Sequence, residues 1–186
     1  MIDRATAVEN GIACKSMLYD VTRKEASQLG YLYELAEQAP DGLAIEIGVK
    51  RGGSLVCWGL ARRGRGRIIG IDTWENIALM QNVEMNLAKY KVEAELIRMD
   101  SGAAAQLISE PVAFCFIDAD HGEGGITKDI LIWPQMIMPG GILVFHDFHV
   151  WKPGVVVERE VNAWQEKVQW ECLGLVSSTI AFRRPA

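Results

Sequence analysis

From residue 43 onward, short apolar runs alternate with segments of helical periodicity. The apolar runs are 43–47, 67–71, 94–99, 112–117 and 142–145. Each has strand length, and all but 94–99, which carries Glu95 and Arg98, are nearly free of polar residues, the pattern of a strand covered on both faces. Between them lie predicted helices at 54–62, 77–90, 102–109, 124–137 and 155–167. In the second of these, Ile77, Met80, Val83, Leu87 and Tyr90 recur on one helical face. Gly140 and Gly141 read as a turn before the fifth strand. Upstream, Thr22 and Glu25 have the spacing of a capping box, and Ala26, Leu29, Leu32, Tyr33 and Ala36 follow at helical spacing. Pro40-Asp41-Gly42 stops that helix. Residues 1–21 read as a short helix or a mobile arm. The tail, 170–176 and 178–183, reads as an antiparallel hairpin at the sheet edge.

Strand and helix alternating five times imply βαβ units and a parallel sheet. Right-handed crossovers then place helices on both faces, giving an α/β, Rossmann-like doubly wound fold. The expected organisation is one structural domain, with residues 1–40 as an N-terminal helical cap on residues 41–186. A chain of 186 residues suits that reading. A net charge of −5 argues against nonspecific nucleic-acid binding. The run Arg62, Arg63, Arg65, Arg67 is the local exception and reads as a solvated helix end. Cys14, Cys57, Cys115 and Cys172 lie far apart, which predicts free thiols in a reducing compartment. No stretch resembles a signal peptide or a membrane span, so a cytoplasmic protein without membrane partners is expected.

Ligands of open parallel sheets bind beyond the carboxyl ends of the strands. There the sequence places Glu46-Ile47-Gly48, with Gly52, Gly53 and Ser54 following. Asp72-Thr73-Trp74, Asp100-Ser101, Asp118-Ala119-Asp120-His121 and His146-Asp147-Phe148-His149 end the other strands. Every strand therefore delivers a carboxylate at or near its end, which points to one site lined by five loops. Glycines allow close backbone approach, and the helix start behind them offers free N–H groups. Asp72 stands where an acid can accept both hydroxyls of a ribose, or cap the next helix. Glu46, a charge inside an apolar strand, must be paired or functional.

These residues resemble the class I S-adenosylmethionine-dependent methyltransferases, closest to the small-molecule O-methyltransferases that act on catechols and sugars. The matching stretches are AIEIGVKRGGS, IGIDTW, IRMDSGAA, FCFIDADH and MPGGILVFHDFH, within a resemblance spanning about residues 22–186. The resemblance implies a seven-stranded sheet whose last strand is antiparallel, with S-adenosylmethionine as cofactor. It implies that Glu46 and Gly48 line the methionine end, and that Gly52, Gly53 and Ser54 lie against the cofactor's backbone. Asp72 would hold the ribose, Thr73 and Trp74 would flank the adenine, and Asp100 and Ser101 would meet its edge. Asp118 would lie near the sulfonium, with Asp120 anchoring the loop or touching the cofactor.

In metal-dependent members an acid after the fourth strand joins an acid or amide pair after the fifth to hold Mg2+ or another divalent cation. The matching positions are Asp118, His146 and Asp147, and His146 departs from the usual oxygen ligand. Relatives often carry Ser, Tyr and Glu after the position of His121, where this chain has Gly122-Glu123-Gly124-Gly125. An acceptor hydroxyl must lose its proton, and a histidine suits that task. His121 is the first candidate base, followed by His149 and His146. The expected acceptor is a small molecule; the sequence leaves the oligomeric state open, with six tryptophans giving room for an aromatic homodimer surface. Two other readings compete. A non-catalytic or biosynthetic-cluster protein of this fold would keep the cofactor residues. An NAD-dependent oxidoreductase would need GxGxxG after the first strand, which is absent.

Overall fold

A computed structural model of the chain describes residues 2–15, 23–118, 123–149 and 153–186. Seven strands form one sheet: β1 (Leu43–Ile47), β2 (Ile68–Asp72), β3 (Glu95–Arg98), β4 (Val112–Ile117), β5 (Ile137–Phe145), β6 (Glu171–Val176) and β7 (Thr179–Arg183). Their order is β3-β2-β1-β4-β5-β7-β6. β1 to β5 pair in parallel, and β7 runs antiparallel to both β5 and β6. The chain reverses direction across the sheet between β1 and β4, the switch point that the alternation of elements implied.

Side-chain alternation along the central strands separates two cores. On one side Ala44, Phe114, Phe116 and Val144 meet helices α1 (Arg4–Lys15), α2 (Arg23–Gln38), α3 (Gly53–Ala61) and α4 (Ile77–Tyr90). On the other, Ile45, Cys115, Ile117, Leu143 and Phe145 meet α5 (Ser101–Ala105), α6 (Glu123–Met136) and α7 (Pro153–Val168). The apolar stripe of α2 is buried as its spacing predicts, at Leu29, Leu32, Tyr33 and Ala36. Residues 4–15 form a helix whose Ala7 is buried in the same core, so α1 and α2 share their apolar interior with α3 and the sheet. No helix among the described residues is long and apolar enough to cross a membrane.

Several expectations need correction. Gly140 and Gly141 lie inside β5, which begins at Ile137 rather than after the glycines. Gly140 takes φ 75°, and its N–H donates to the Arg184 carbonyl while Arg184 N–H returns to Gly141. Neighbours on both sides thus keep the segment extended where local sequence suggests a turn. Ile77, expected on the buried face, is 47% exposed because it opens α4. Arg62 is not solvated at all. Its guanidinium is buried and donates to the carbonyls of Ala36, Ala39, Pro40, Gly42 and Arg65. It therefore satisfies the Ala36 carbonyl in the last turn of α2 and those of Ala39 and Pro40 just beyond it. Trp58, Trp74, Trp133, Trp164 and Trp170 are all buried, so the tryptophans described here supply core rather than a dimer surface. All four cysteines are free, with Cys57 and Cys115 in the core.

Candidate active site

The parallel ladder continues one residue past the strands. Gly48 N–H donates to Ile71, Asp118 N–H to Ile47, and His146 N–H to Ile117. This sets Gly48, Asp118 and His146 side by side along the carboxyl edge of β1, β4 and β5, so the sheet itself gathers the site.

Glu46 lies on the α3 side of β1, with no exposed surface. Ser54 Oγ donates to it at 2.7 Å, and Trp58 Nε1 at 2.5 Å. Ser54 and Trp58 stand four residues apart on one face of α3, which is what lets both reach the same carboxylate. The loop between β1 and α3 turns through left-handed backbone at Gly48, Lys50 and Gly52. A Cβ on Gly52 would come within 3.0 Å of Val83. Gly52 is also the N-cap of α3 and has no side chain to occupy its first amides. Those amides, including those of Gly53 and Ser54, open onto the loop as an anion-binding helix start does.

Asp72 closes that loop from the side of β2. Its Oδ2 accepts from Lys50 N–H and its Oδ1 from Trp74 N–H, both at 2.8 Å. Trp74 Nε1 donates back to the Lys50 carbonyl at 3.1 Å. Lys50 and Trp74 both hold positive φ, an arrangement uncommon outside glycine. One carboxylate thus fixes two strained loops. Each of its oxygens keeps a further lone pair for an outside hydroxyl. Thr73 is exposed beside it and receives Arg98 Nε at its carbonyl. The Trp74 ring is buried against the α4 side of the core, so its indole braces the loop from within.

Asp100 caps α5 by accepting from Gly102 and Ala103 N–H, and it pairs with Lys128. Lys128 and the two amides hold its carboxyl below the usual range. Ser101 Oγ donates at 2.5 Å to Asp129, an acid that the sequence reading did not single out. Asp129 is only 2% exposed, and burial pushes its carboxyl up, opposed by the Ser101 bond.

Asp118, His146 and Asp147 converge. His146 Nδ1 lies 2.9 Å from Asp118 Oδ1 and 3.2 Å from Asp147 Oδ1. One ligand atom from each of the three residues lies within 4.8 Å of the others. Yet Nδ1, though buried, is aligned for a hydrogen bond with neither carboxylate. Burial disfavours charge on the ring, but Asp118 and Asp147 outweigh it and raise the imidazolium pKa to about 10. On the far side of the ring, Gln28 Nε2 of α2 stands 3.2 Å from His146 Nε2 and donates to Ser178 Oγ at 2.6 Å. Phe116 meets the ring edge-on.

His149 is separate from this cluster. Its Nδ1 lies 2.7 Å from Glu158 Oε2 of α7, its ring lies against Phe148, and about half its side chain is exposed. Asp120 and His121 fall outside the described residues, as do Gly122 and Trp151, while Gly124 and Gly125 lie in the first turn of α6. The structure therefore brings together Glu46, Gly48 and Ser54, links the loop to Asp72 and Trp74, and joins Asp118 to His146 and Asp147. Sequence reasoning missed Trp58, Gln28, Asp129, Glu158 and Ser178. Only Trp58 carried a readable signal, through its spacing from Ser54.

The comparisons with known proteins bear on the fold and the family. The SAH-bound methyltransferase PaMTH1 of Podospora anserina superposes with TM-score 0.72 at 14% identity, covering 100% of this chain and 89% of that one. An O-methyltransferase from Bacillus cereus in complex with SAH gives 0.66 at 17% identity, covering 97% and 90%. An rRNA methylase from Streptococcus thermophilus gives 0.65 at 13% identity, covering 90% and 100%. At such identities these likenesses speak for the fold, and the fold serves acceptors as different as these. No curated protein matches the chain significantly. The profile described as "Methyltransferase domain" matches residues 45–148, more than half of the chain and every loop of the site from Glu46 to Phe148. The chain belongs to the methyltransferase-domain family, on the class I S-adenosylmethionine-dependent fold.

Proposed function

We propose that the protein methylates a hydroxyl oxygen of a small-molecule acceptor, with a divalent transition metal held by Asp118, His146 and Asp147. The observation that carries this reading is the buried, unaligned Nδ1 of His146 between two carboxylates at the shared edge of β4 and β5. A nitrogen with two oxygens is a donor set for Mn2+, Co2+ or Zn2+ rather than for Mg2+. A metal bound there supplies a lowered pKa for a coordinated acceptor hydroxyl.

S-adenosylmethionine brings a methyl carbon already activated by its sulfonium, so the protein's own contribution is chiefly placement, worth about 7–11 kcal/mol when alignment is good. The residues fit that cofactor. Asp72 has lone pairs to spare for two ribose hydroxyls. The uncapped start of α3 suits the carboxylate of the methionine end, beside Gly48 and the Gly52–Gly53 turn. Asp100 and Ser101 would line the adenine edge, with Asp129 and Lys128 holding them in place.

His149 is the described histidine best arranged to receive the acceptor's proton. Glu158 holds its Nδ1, which leaves Nε2 without a partner among the described residues on a half-exposed side chain. His146 cannot serve, because in this reading its Nδ1 faces Asp118 and Asp147 as a metal ligand and its Nε2 is covered by Gln28. The net charge of −5 favours a small acceptor over a phosphodiester chain.

The test is methyl transfer from labelled S-adenosylmethionine to a panel of catechols, phenols and sugar hydroxyls, with chelator and then with added metals. Loss of turnover in EDTA and recovery with Mn2+ or Co2+ ahead of Mg2+ is the expected result. Full turnover in EDTA refutes the metal role. Label found only on nitrogen or on RNA refutes the acceptor class.

A further inference from the structure

The ring of His146 is held from behind by parts of the chain outside the strand-end loops of the site. Gln28 comes from α2, in the N-terminal helical segment, and reaches His146 Nε2 at 3.2 Å. The same carboxamide is tied at 2.6 Å to Ser178 Oγ, in the turn between β6 and β7. That turn is in turn fastened to the metal loop, because Phe148 N–H donates to the Ser178 carbonyl at 3.0 Å. The loop needs such support. Asp147 and His149, on either side of Phe148, both hold left-handed backbone with φ 56° and 61°, and neither is glycine. Such conformations persist only where the surroundings over-determine them. Three segments far apart in sequence are therefore linked through Gln28 behind one imidazole.

We infer that Gln28, braced by Ser178, is the positioning residue that turns the His146 ring so that Nδ1 faces Asp118 and Asp147 as a metal ligand. The inference rests on the metal reading above. Histidine ligands commonly donate their second ring N–H to an oxygen that fixes tautomer and orientation, and losing that oxygen costs about 10–100-fold in metal affinity. With a metal on Nδ1, the ring carries its proton on Nε2. The Gln28 carboxamide is nearly symmetric in shape, so its oxygen can take the place beside Nε2 and accept from both the ring and the Ser178 hydroxyl. The arrangement also joins α2 and the hairpin turn to the metal corner, so movement of either element is felt at His146.

The experiment is calorimetric titration of the full chain with Mn2+, run beside titration with S-adenosylhomocysteine and a melting curve. Gln28→Leu keeps the bulk and removes the polar end. It should weaken Mn2+ binding about 10–100-fold while leaving S-adenosylhomocysteine affinity and melting temperature close to wild type. Gln28→Glu restores an acceptor oxygen and should bind Mn2+ within about threefold of wild type or more tightly. Ser178→Ala removes only the brace and should fall between them. Mn2+ affinity of Gln28→Leu within threefold of wild type overturns the inference while leaving the metal reading intact. Failure of the wild type to bind Mn2+ overturns the metal reading and the inference with it. Equal weakening by Leu and Glu at position 28 also overturns it, since bulk or general disturbance would then be responsible.

Discussion

The sharpest test of the cofactor loop is Asp72→Asn. The carboxylate accepts one backbone N–H on each oxygen, from Lys50 and from Trp74. Asparagine keeps one acceptor and turns an NH2 group toward the other amide. A hydrogen bond to a charged acceptor contributes about 1.5–3 kcal/mol, and partial exposure here favours the lower end. Losing one such bond also loosens a left-handed residue, Lys50 or Trp74, whose conformation alone costs on the order of 1 kcal/mol. A ribose hydroxyl that met the vanished oxygen loses its acceptor as well. Together these predict S-adenosylhomocysteine binding weaker by about 2–3 kcal/mol, or roughly 30–150-fold in Kd. The ligand-free protein should melt about 3–6 °C lower. Calorimetry and a thermal melt measure the two effects separately. A lowered melting temperature with Kd changed less than threefold would show that Asp72 braces the loops and never meets the ribose. No change in either quantity would refute the whole account of the loop.

Other expectations follow from the buried pairs and the histidines. Trp58→Phe leaves the buried Glu46 short of a donor and should cost about 2–4 kcal/mol. Glu46→Gln should cost less, because the Ser54 hydroxyl can turn to accept from the new NH2 group; urea unfolding that reverses this order counts against the pairing described here. Asp129 has its pKa raised by burial, so the stability it contributes is full below the ordinary carboxylate range and is lost as pH rises through the raised value. Asp129→Asn, which still accepts from Ser101, should therefore gain on wild type as pH increases from 4 to 8, and a stability difference that stays flat or moves in favour of wild type would contradict it. His149→Ala should lower kcat by about 10²–10⁴-fold with unchanged S-adenosylhomocysteine affinity. Glu158→Gln should lower it less, and loss of turnover in His121→Ala but not in His149→Ala moves the base to position 121.

The sequence displayed the strands and their order of use because burial on both faces leaves little choice of residue. Leu43–Ile47 and Val112–Ile117 are apolar throughout but for Glu46, and that exception already marked the site. The acids at strand ends were legible for the same reason: a carboxylate next to a continuous apolar run has few structural explanations. β5 reads short in the sequence because Gly140 and Gly141 signal a turn, while the pairings that hold Ile137–Phe145 in the sheet come from Val112 and Arg184. Arg62 was read as solvated because its neighbours Arg63, Arg65 and Arg67 are exposed or partly so, and nothing local shows that the end of α2 lies against it.

What distinguishes the hidden residues is that each acts through another. Gln28 and His146 are 118 positions apart, and Ser101 and Asp129 are 28 apart. No period or motif connects such pairs; only the folded sheet does. Residues that would meet the cofactor or metal directly sit at fixed places in the βα units, so fold and chemistry constrain them together. Their supports come from whichever helix or turn passes nearby, here α2, α6, α7 and the hairpin. This has a consequence for how the site can diverge. The acids at the strand ends hold fixed places beside the ladder, and Asp72 and Glu46 also brace the loop between β1 and α3. The supports can be exchanged one at a time, and with them the geometry of His146 and His149 against the acceptor. Substituting Gln28 or Glu158 should therefore shift metal affinity or turnover while cofactor affinity holds, whereas Asp72 and Glu46 cannot be altered without touching the loop on which the cofactor rests.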